Sequence, residues 1–237
     1  MSGSSINTIF FDAGGTLFEV RGNVGAVYRE TALRYGIDAG AARLQAGFLT
    51  QFRAQPPLAF PRGLAPAVLL QREKKWWREL VAAVFAEQSQ APGFADFFDD
   101  VYEQFRGAAA WRLYEDVAPA LARLRARGYR LAVVSNFDTR LDDLLRELDL
   151  TRYFEAVYLS TRMGAAKPDP LIFQAALADL GVPPACALHV GDSLREDIHG
   201  AMAAGVQAVL IDRTATNDHT DTSYRRIRRF DELPDAL

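Results

Sequence analysis

The sequence predicts an α/β fold, a doubly wound parallel sheet that carries an inserted bundle of α-helices. Three observations support this class. A short apolar strand pattern stands near the start of the chain, helical patterns alone follow over about residues 22–107, and strand and helix patterns alternate from Trp111 onward. Such alternation is typical of βαβ units, which build a parallel sheet. Because the first strand precedes the helical block and its companions follow it, we expect the block to be an insertion.

The first strand pattern, residues 6–11, introduces the first candidate site residue. Its apolar, β-branched and aromatic residues suit a buried parallel strand, and Asp12 stands where the pattern stops. Ligands of open α/β sheets bind beyond the carboxyl ends of the strands, so a carboxylate there is a candidate functional group. Gly14 and Gly15 follow, and glycines let backbone atoms approach a ligand or an ion closely. Taken alone, the segment also fits a strand followed by an ordinary glycine turn.

The helical block has apolar residues at i, i+3 and i+4 spacing, interrupted by glycines and prolines. This spacing predicts four helices, over about residues 24–35, 39–54, 65–88 and 94–105. Their aromatic residues are most simply the core of a small bundle. We expect an α/β domain of residues 1–17 and 112–237 and a helical cap domain of residues 18–111. A cap over the strand ends would exclude water from a site there.

The remaining elements alternate along the second half of the chain. Strands are predicted over residues 129–134, 156–159, 187–190 and 207–211, and helices over residues 117–127, 141–148, 171–180 and 198–204. Three of these helices are followed by a glycine, which commonly marks a helix C-terminus.

Ser135 and Lys167 stand at the ends of predicted elements. Ser135 follows a strand, where its hydroxyl and the N–H groups of the next helix can bind an anion, or where it can be a plain N-cap. Lys167 precedes Pro168, which disfavours helix at the lysine. A surface lysine is usually only solvated, yet just 3 of the 27 basic residues are lysines. A compact ammonium suits a point contact to phosphate or carboxylate.

Two further carboxylates follow the strand at residues 187–190. Asp192 lies at its end, and Asp197 falls in the first turn of the next helix. Ser193 and Glu196 have the spacing of a capping box, which defines where that helix begins. Carboxylates at helix starts are often only dipole partners. With Asp12 on the same sheet, however, the two predict an oxygen-rich site for a hard cation such as Mg²⁺.

Composition and charge limit the classes of partner. The 237 residues are 49% hydrophobic and carry a formal net charge of −3, from 27 basic and 30 acidic residues. This balance provides no electrostatic footprint for nucleic acid or an anionic membrane, so we expect a small-molecule partner, no nucleic acid and no membrane. Without a leader pattern or a long apolar run, a cytoplasmic location is the expectation. Monomer and homodimer both stay open.

Together, in this order and spacing, the four segments resemble the haloacid dehalogenase superfamily of hydrolases, with a helical cap inserted after the first strand. The matching features are a strand with Asp12, a strand with Ser135, Lys167 before proline, and Gly-Asp-Ser at Asp192 with Asp197 beyond it. The resemblance covers essentially the whole chain. It implies a Rossmann-like α/β core and Mg²⁺-dependent hydrolysis of a phosphomonoester or related phosphoryl substrate through an aspartyl intermediate.

The resemblance also implies roles for individual residues. The catalytic residues would be Asp12 as nucleophile, Lys167 and Ser135. The phosphate- and substrate-binding residues would be Ser135, Asn136, Lys167 and Gly15. The Mg²⁺ ligands would be Asp12, the backbone carbonyl of Gly14, Asp192 and Asp197, the last through water or as a support.

One position departs from the family pattern. Family phosphatases carry a second Asp two residues after the nucleophile, as acid and base, and here that position is Gly14. Positioned acid/base catalysis is typically worth ~10²–10⁴-fold, so we expect slow cleavage of alkyl phosphates. Asp138 is a candidate substitute acid. Three alternatives stay open: a preference for good leaving groups, recruitment of another group, or a catalytically silent phosphate-binding regulatory protein.

Two relatives that also lack this Asp are further interpretations. A metal-independent 2-haloacid dehalogenase has a similar opening motif, but Asp192 and Asp197 indicate a cation. A phosphonate-cleaving enzyme needs a cap lysine, for which the chain offers only Lys74 and Lys75.

Overall fold

The computed structural model describes residues 5–214 and 222–235 of the chain. Its contacts divide it into two compact units. The first comprises Met1–Glu19, Ala59–Gly63 and Leu113–Leu237, and the second comprises Val20–Leu58 and Leu64–Arg112. The division into a hydrolase core and a cap with the boundaries given above stays a prediction.

A parallel sheet forms the centre of the first unit, which confirms the predicted α/β class. The described strands are β1 (Thr8–Phe11), β2 (Phe18–Val20), β3 (Trp111–Leu113), β4 (Arg130–Ser135), β5 (Ala156–Leu159), β6 (Ala187–Gly191), β7 (Gln207–Ile211) and β8 (Arg225–Ile227). Six of them form one sheet in the order β5-β4-β1-β6-β7-β8, in which every described pairing is parallel, while β2 pairs with β3.

The register of the central strands brings three predicted site segments to one edge of the sheet. Phe11 at the end of β1 is aligned with Val133 of β4 and with Val190 of β6. Because parallel strands end at the same edge, Asp12, Ser135 and Asp192 lie at the ends of neighbouring strands.

Except for Ser160–Met163, which the sequence pattern does not predict, the described α-helices lie close to the predicted positions. They are α1 (Val24–Leu33), α2 (Ala41–Ala54), α3 (Pro66–Phe85), α4 (Phe94–Gln104), α5 (Val117–Ala126), α6 (Arg140–Glu147), α7 (Ser160–Met163), α8 (Leu171–Leu180) and α9 (Gly200–Ala203). The main difference concerns the helix predicted over residues 198–204. It begins earlier, as a π-helical turn over Leu194–His199, and only then continues as α9.

Each unit has its own apolar core. In the first unit, Phe10, Ile172, Phe173 and Ile198 belong to one buried cluster that lies between the sheet and the helices that follow β5 and β6. On the other side of β1, Phe11 stacks on Phe230 with ring centroids 5.5 Å apart.

The second unit is built from α1 to α4 around aromatic side chains, as the helical pattern predicts. Tyr28 is buried at its centre, and its ring lies 6.0 Å from that of Phe85 and 6.4 Å from that of Phe97. Trp77 and Phe105, also expected in this core, are only half-buried.

The sequence patterns miss β2, β3 and β8 because a strand of three residues is too short to show a period of two. The segment of residues 214–222, interpreted from its composition as a mobile loop, lies mostly outside the described residues. Within the part of the chain that is described, no helix combines the length and apolar character needed to cross a membrane.

Candidate active site

Asp12 is held at the carboxyl end of β1 by both its backbone and one side-chain oxygen. Its N–H donates to Val190 O at 2.9 Å. Its Oδ1 accepts hydrogen bonds from Ser135 Oγ at 2.9 Å and from Lys167 Nζ at 2.6 Å. Among the described residues, none makes a hydrogen bond to Asp12 Oδ2. One carboxylate oxygen is therefore restrained and the other is left for a ligand.

Lys167 is a buried ammonium between two carboxylates. Its side chain is 2% exposed, and Nζ donates to Asp197 Oδ1 as well as to Asp12. Burial alone would lower the pKa of Lys167, but the charges of Asp12 and Asp197 outweigh it and raise the pKa. The lysine is therefore a permanent cation at this site.

Asn136 holds the backbone of Lys167 from both sides. Its Nδ2 donates to Lys167 O at 2.8 Å, and its Oδ1 accepts from Lys167 N at 2.7 Å. The sequence predicts that Asn136 binds phosphate or substrate. In the structure both ends of its side-chain amide are occupied by the lysine backbone, so its direct effect is to position Lys167 rather than to offer a free amide.

Asp197 is fully occupied by neighbours. Its Oδ1 accepts from Lys167 Nζ and from His189 Nε2 at 2.9 Å, and its Oδ2 accepts from Ser193 N at 2.9 Å. Burial alone would raise the pKa of Asp197, but Lys167 and His189 outweigh it and lower the pKa. Its three bonds make it a support for Lys167 more than a free ligand.

His189 is a site residue that the sequence pattern does not reveal, because alternation along a strand is equally typical of a core side chain. Its ring is fully buried at the side of Phe173, with centroids 4.9 Å apart. Burial lowers the pKa of His189, although Asp197 opposes the shift. Since an ionised carboxylate can only accept, Nε2 carries the proton and donates to Asp197.

Asp192 lies against the loop that follows β1, and the backbone at Gly15 makes room for it. Gly15 has φ +78°, and a Cβ there would lie 2.3 Å from Asp192 Oδ2. Only glycine combines this backbone angle with so close an approach. The hydroxyl of Thr16 donates to Asp192 Oδ1 at 3.3 Å. As a whole residue Asp192 is exposed, in contrast to the buried Asp12 and Asp197, although neighbouring groups exclude part of the water around its carboxyl group.

The three carboxylates form one cluster. Asp12, Asp192 and Asp197 each have an oxygen within 4.8 Å of the others. The pKa of Asp192 is raised to about 7, first by loss of water around its carboxyl group and then by the charges of Asp12 and Asp197. Burial and Asp197 likewise raise the pKa of Asp12, although Lys167 opposes them. The raised pKa values therefore reflect burial first and the negative charge of the neighbouring carboxylates second.

This donor set fits a hard divalent cation. The cluster provides only oxygen atoms, and one ammonium faces three carboxylates, so full ionisation of the cluster would leave an excess of two negative charges. Oxygen ligands and a compensating double charge are what Mg²⁺ requires. The side-chain oxygens that stay accessible to such a cation are those of Asp12 and Asp192, which agrees with a supporting role for Asp197.

Asp138, the candidate substitute acid, is committed to another contact. Its side chain is fully buried in an ion pair with Arg140, whose Nη2 lies 2.6 Å from Asp138 Oδ2. The Nε and the backbone N–H of Arg140 both donate to Oδ1. Both oxygens of Asp138 are therefore engaged by Arg140 at the start of α6, which is a structural role and not that of an acid at the site.

The cap lysines have partners in the second unit. Lys74 Nζ forms an ion pair with Asp99 at 3.0 Å, and Lys75 Nζ lies 3.8 Å from Glu79. These pairs weaken the interpretation as a phosphonate-cleaving enzyme.

The comparisons with known proteins agree on one family. A model of the haloacid dehalogenase-like hydrolase family matches residues 6–205. The mouse protein named haloacid dehalogenase-like hydrolase domain-containing protein 3 is 35% identical over 221 residues, which cover 91% of this chain and 84% of the mouse protein. Phosphoserine phosphatase of Thermus thermophilus is 32% identical over 208 residues, covering 79% of this chain and 81% of the relative.

A solved structure agrees with these relatives over the whole chain. The crystal structure of a HAD phosphatase from Thermococcus onnurineus superposes with a TM-score of 0.67 at 25% identity and covers 98% of each chain.

Proposed function

Since this chain belongs to the haloacid dehalogenase-like hydrolase family, we propose that it hydrolyses small-molecule phosphate monoesters in a Mg²⁺-dependent reaction through an aspartyl-phosphate at Asp12. The observation that carries this proposal is the asymmetric environment of Asp12. Oδ1 is restrained by Ser135 and Lys167, while no described residue makes a hydrogen bond to Oδ2. An anchored carboxylate with one available oxygen is suited to nucleophilic attack.

In the proposed reaction, Asp12 Oδ2 attacks the phosphorus atom and the bond from phosphorus to the leaving oxygen breaks. Water then attacks the aspartyl-phosphate, which releases inorganic phosphate and restores the carboxylate. Lys167 and Ser135 hold the phosphoryl oxygens, for which the single hydroxyl proton of Ser135 turns from Asp12 Oδ1 to the phosphoryl group. Lys167 also offsets the repulsion between a carboxylate and a phosphate dianion. Asp197 and Asn136 keep the lysine in place, one at its ammonium and the other at its backbone.

The metal ligands in this proposal are the side chains of Asp12 and Asp192 and the backbone carbonyl of Gly14, with Asp197 as support. Bound Mg²⁺ supplies charge neutralisation at the phosphoryl oxygens. Three carboxylates close together and the raised pKa of Asp192 support this assignment. We further propose that the helical unit is the cap that excludes water from the site and selects the substrate.

Gly14 determines which esters we expect to be cleaved. Without an acid at this position, the leaving oxygen departs unprotonated, so the reaction favours esters whose leaving groups are stable as anions. We therefore propose a preference for aryl phosphates over alkyl phosphates. The kinship with phosphoserine phosphatase supports a phosphomonoester substrate and makes phosphoserine a useful member of a substrate panel.

The proposal is tested by phosphate release from p-nitrophenyl phosphate, phosphoserine and other phosphorylated metabolites, with and without Mg²⁺. We expect the wild type to release phosphate only with the metal, and fastest from the aryl ester. Asp12→Asn should abolish release, because the amide is not a nucleophile. Lys75→Gln, on the surface of the helical unit, is the matched control and should retain activity.

Two outcomes would contradict the proposal. Metal-independent halide release from a 2-haloacid, lost in Asp12→Asn and without phosphate release from any ester, would identify a dehalogenase. Equal phosphate release by the wild type and Asp12→Asn would remove Asp12 from the chemistry.

A further inference from the structure

Arg213 lies beyond the end of β7, outside all four motifs, yet it contacts the loop that carries Gly14 and Gly15. Its Nη2 donates to Thr16 O at 3.0 Å. Thr16 is fully buried, so this carbonyl would lack water if the arginine were removed. The arginine therefore anchors the turn that follows Asp12.

The guanidinium itself is held from two sides. Nη1 donates to both oxygens of Asp116, at 3.2 and 3.0 Å, and the guanidinium carbon lies 3.7 Å from the centre of the Tyr114 ring. The buried carboxylate of Asp116 also accepts from Phe230 N at 2.8 Å. With Nη1 held by the Asp116 carboxylate and the plane held by the Tyr114 ring, the guanidinium directs Nη2 toward Thr16.

Thr16 connects this anchor to a proposed metal ligand. Its backbone carbonyl binds Arg213, and its hydroxyl donates to Asp192 Oδ1 at 3.3 Å. Asp192 also packs against the α-carbon face of Gly15, the preceding residue of the same turn. The position of the turn therefore sets the position of the Asp192 carboxylate.

We propose that Arg213 is a positioning residue for the metal site, which acts through Thr16 to orient Asp192 for the cation. This inference rests on the proposed function, because it assumes that Asp192 binds Mg²⁺. Residues that orient a metal ligand typically contribute 10–100-fold to metal affinity.

The chain offers a matched control for Arg213. Arg226 also pairs with a buried aspartate at the end of β7, since its Nε and Nη2 lie 3.1 and 2.7 Å from Asp212 Oδ2. No hydrogen bond from Arg226 to the loop at Thr16 is described. Arg213→Lys and Arg226→Lys each replace a guanidinium by a single ammonium, so both variants lose the Arg–Asp hydrogen bonds. Only Arg213→Lys also loses the hydrogen bond to Thr16 O.

The experiment is Mg²⁺ binding to the purified full-length protein without substrate, measured by isothermal titration calorimetry. We expect Arg213→Lys to weaken binding by ~10-fold or more, and Arg226→Lys to leave it unchanged. Asp192→Asn removes a proposed ligand, so the heat of binding that this variant loses is the heat that belongs to this site. Thermal unfolding of all variants reports on their folding separately from their metal affinity.

A second variant tests the route through Thr16. Thr16→Val retains the carbonyl that Arg213 binds but removes the hydroxyl that contacts Asp192. It should weaken Mg²⁺ binding by itself, and adding Arg213→Lys should then weaken binding by less than it does in the wild type. If Arg213→Lys does not fold, unchanged Mg²⁺ affinity in Thr16→Val overturns the inference.

The outcomes separate the inference from the proposed function. Wild-type affinity in Arg213→Lys, or an equal loss in Arg226→Lys, overturns the inference while binding by the wild type still supports a metal site. Absence of Mg²⁺ binding by the wild type overturns both.

Discussion

At the residue scale, Gly14 is the position with the most direct consequence for rate. A Cβ at Gly14 would have no described heavy atom within 4 Å, and its backbone is outside the left-handed region. An aspartate can therefore be introduced without a clash. We expect Gly14→Asp to raise kcat for an alkyl phosphate by ~10²–10⁴-fold, because it supplies a proton to the leaving oxygen.

The control for this prediction is Gly14→Asn, which has a similar shape but cannot act as the acid. Its kcat should stay near that of the wild type. The gain in Gly14→Asp should also be smaller for p-nitrophenyl phosphate, whose leaving group needs little protonation. Equal rates for the Asp and Asn variants would remove the missing acid as the cause of slow turnover.

Asn136 gives a second prediction at the residue scale. Its amide makes two hydrogen bonds to the backbone of Lys167. Each such bond typically contributes about 0.5–1.5 kcal/mol, so Asn136→Ala should lower the free energy of unfolding by about 1–3 kcal/mol. Urea denaturation without ligand measures this. A side chain that contacted only the substrate would leave the stability of the free protein unchanged, and that result would contradict the positioning role.

At the element scale, the helix after β6 begins at the predicted N-cap, Ser193, whose backbone N–H donates to Asp197 rather than to Glu196 as the predicted capping box requires. Ser193 Oγ accepts from Glu196 N at 3.2 Å and also bonds to the Glu196 carboxylate. The backbone N–H of Ser193 donates to Asp197 Oδ2, while Asp197 Oδ1 accepts from Lys167. The cap therefore defines the start of the helix and orients one of the site carboxylates.

We expect Ser193→Ala to lower the free energy of unfolding by about 0.5–2 kcal/mol, since a helix N–H loses its acceptor. Ser193→Thr retains a hydroxyl and should stay close to the wild type. Both values come from urea denaturation. Equal losses in the two variants would show that packing around Ser193, and not the cap, is responsible.

At the scale of the whole molecule, Asp116 joins distant parts of the first unit. It precedes α5, pairs with Arg213 beyond β7 and accepts from Phe230 N near the C-terminus. Burial alone would raise the pKa of Asp116, but the hydrogen bonds from Arg213 and Phe230 outweigh it and lower the pKa. A carboxylate whose pKa is lower in the folded state than in the unfolded state stabilises the fold only while it is ionised.

This predicts a pH dependence with a defined sign. The stability contributed by Asp116 is fully present above its unfolded pKa of about 3.9 and is lost as pH falls through its lower folded pKa. Asp116→Asn should therefore be less stable than the wild type at pH 7, and the difference should shrink in strong acid. Chemical denaturation from pH 7 to pH 2 measures it, and a difference that grows with acidity would contradict the assignment.

Asp99→Asn is the comparison for this experiment. Asp99 pairs with Lys74 in the other unit, and both side chains are well exposed, at 57% and 41%. Exposed pairs contribute ~0–1 kcal/mol, so this variant should differ little from the wild type at neutral pH.

Sequence patterns are sufficient to predict the α/β class, most element positions and the strand ends at which site residues meet. These features depend on local signals. The spacing of apolar residues and the breaks at glycine and proline are patterns within a few residues. The carboxyl ends of parallel strands then lie at one edge of the sheet. The strand ends at Asp12, Ser135 and Asp192 are therefore predictable from local patterns, whereas the role of Lys167 is implied by the family resemblance.

Which atoms form contacts depends on the tertiary structure. Asn136 bonds to a lysine 31 residues away, and Arg213 to a threonine 197 residues away. Such contacts depend on strand register, helix packing and rotamers, none of which leaves a local pattern in the chain. For the same reason the ion pair of Asp138 with Arg140 and the contact of Asp197 with His189 are not predictable from the sequence. The spacing of each pair is ordinary, and it is burial by distant elements that commits each carboxylate to its partner.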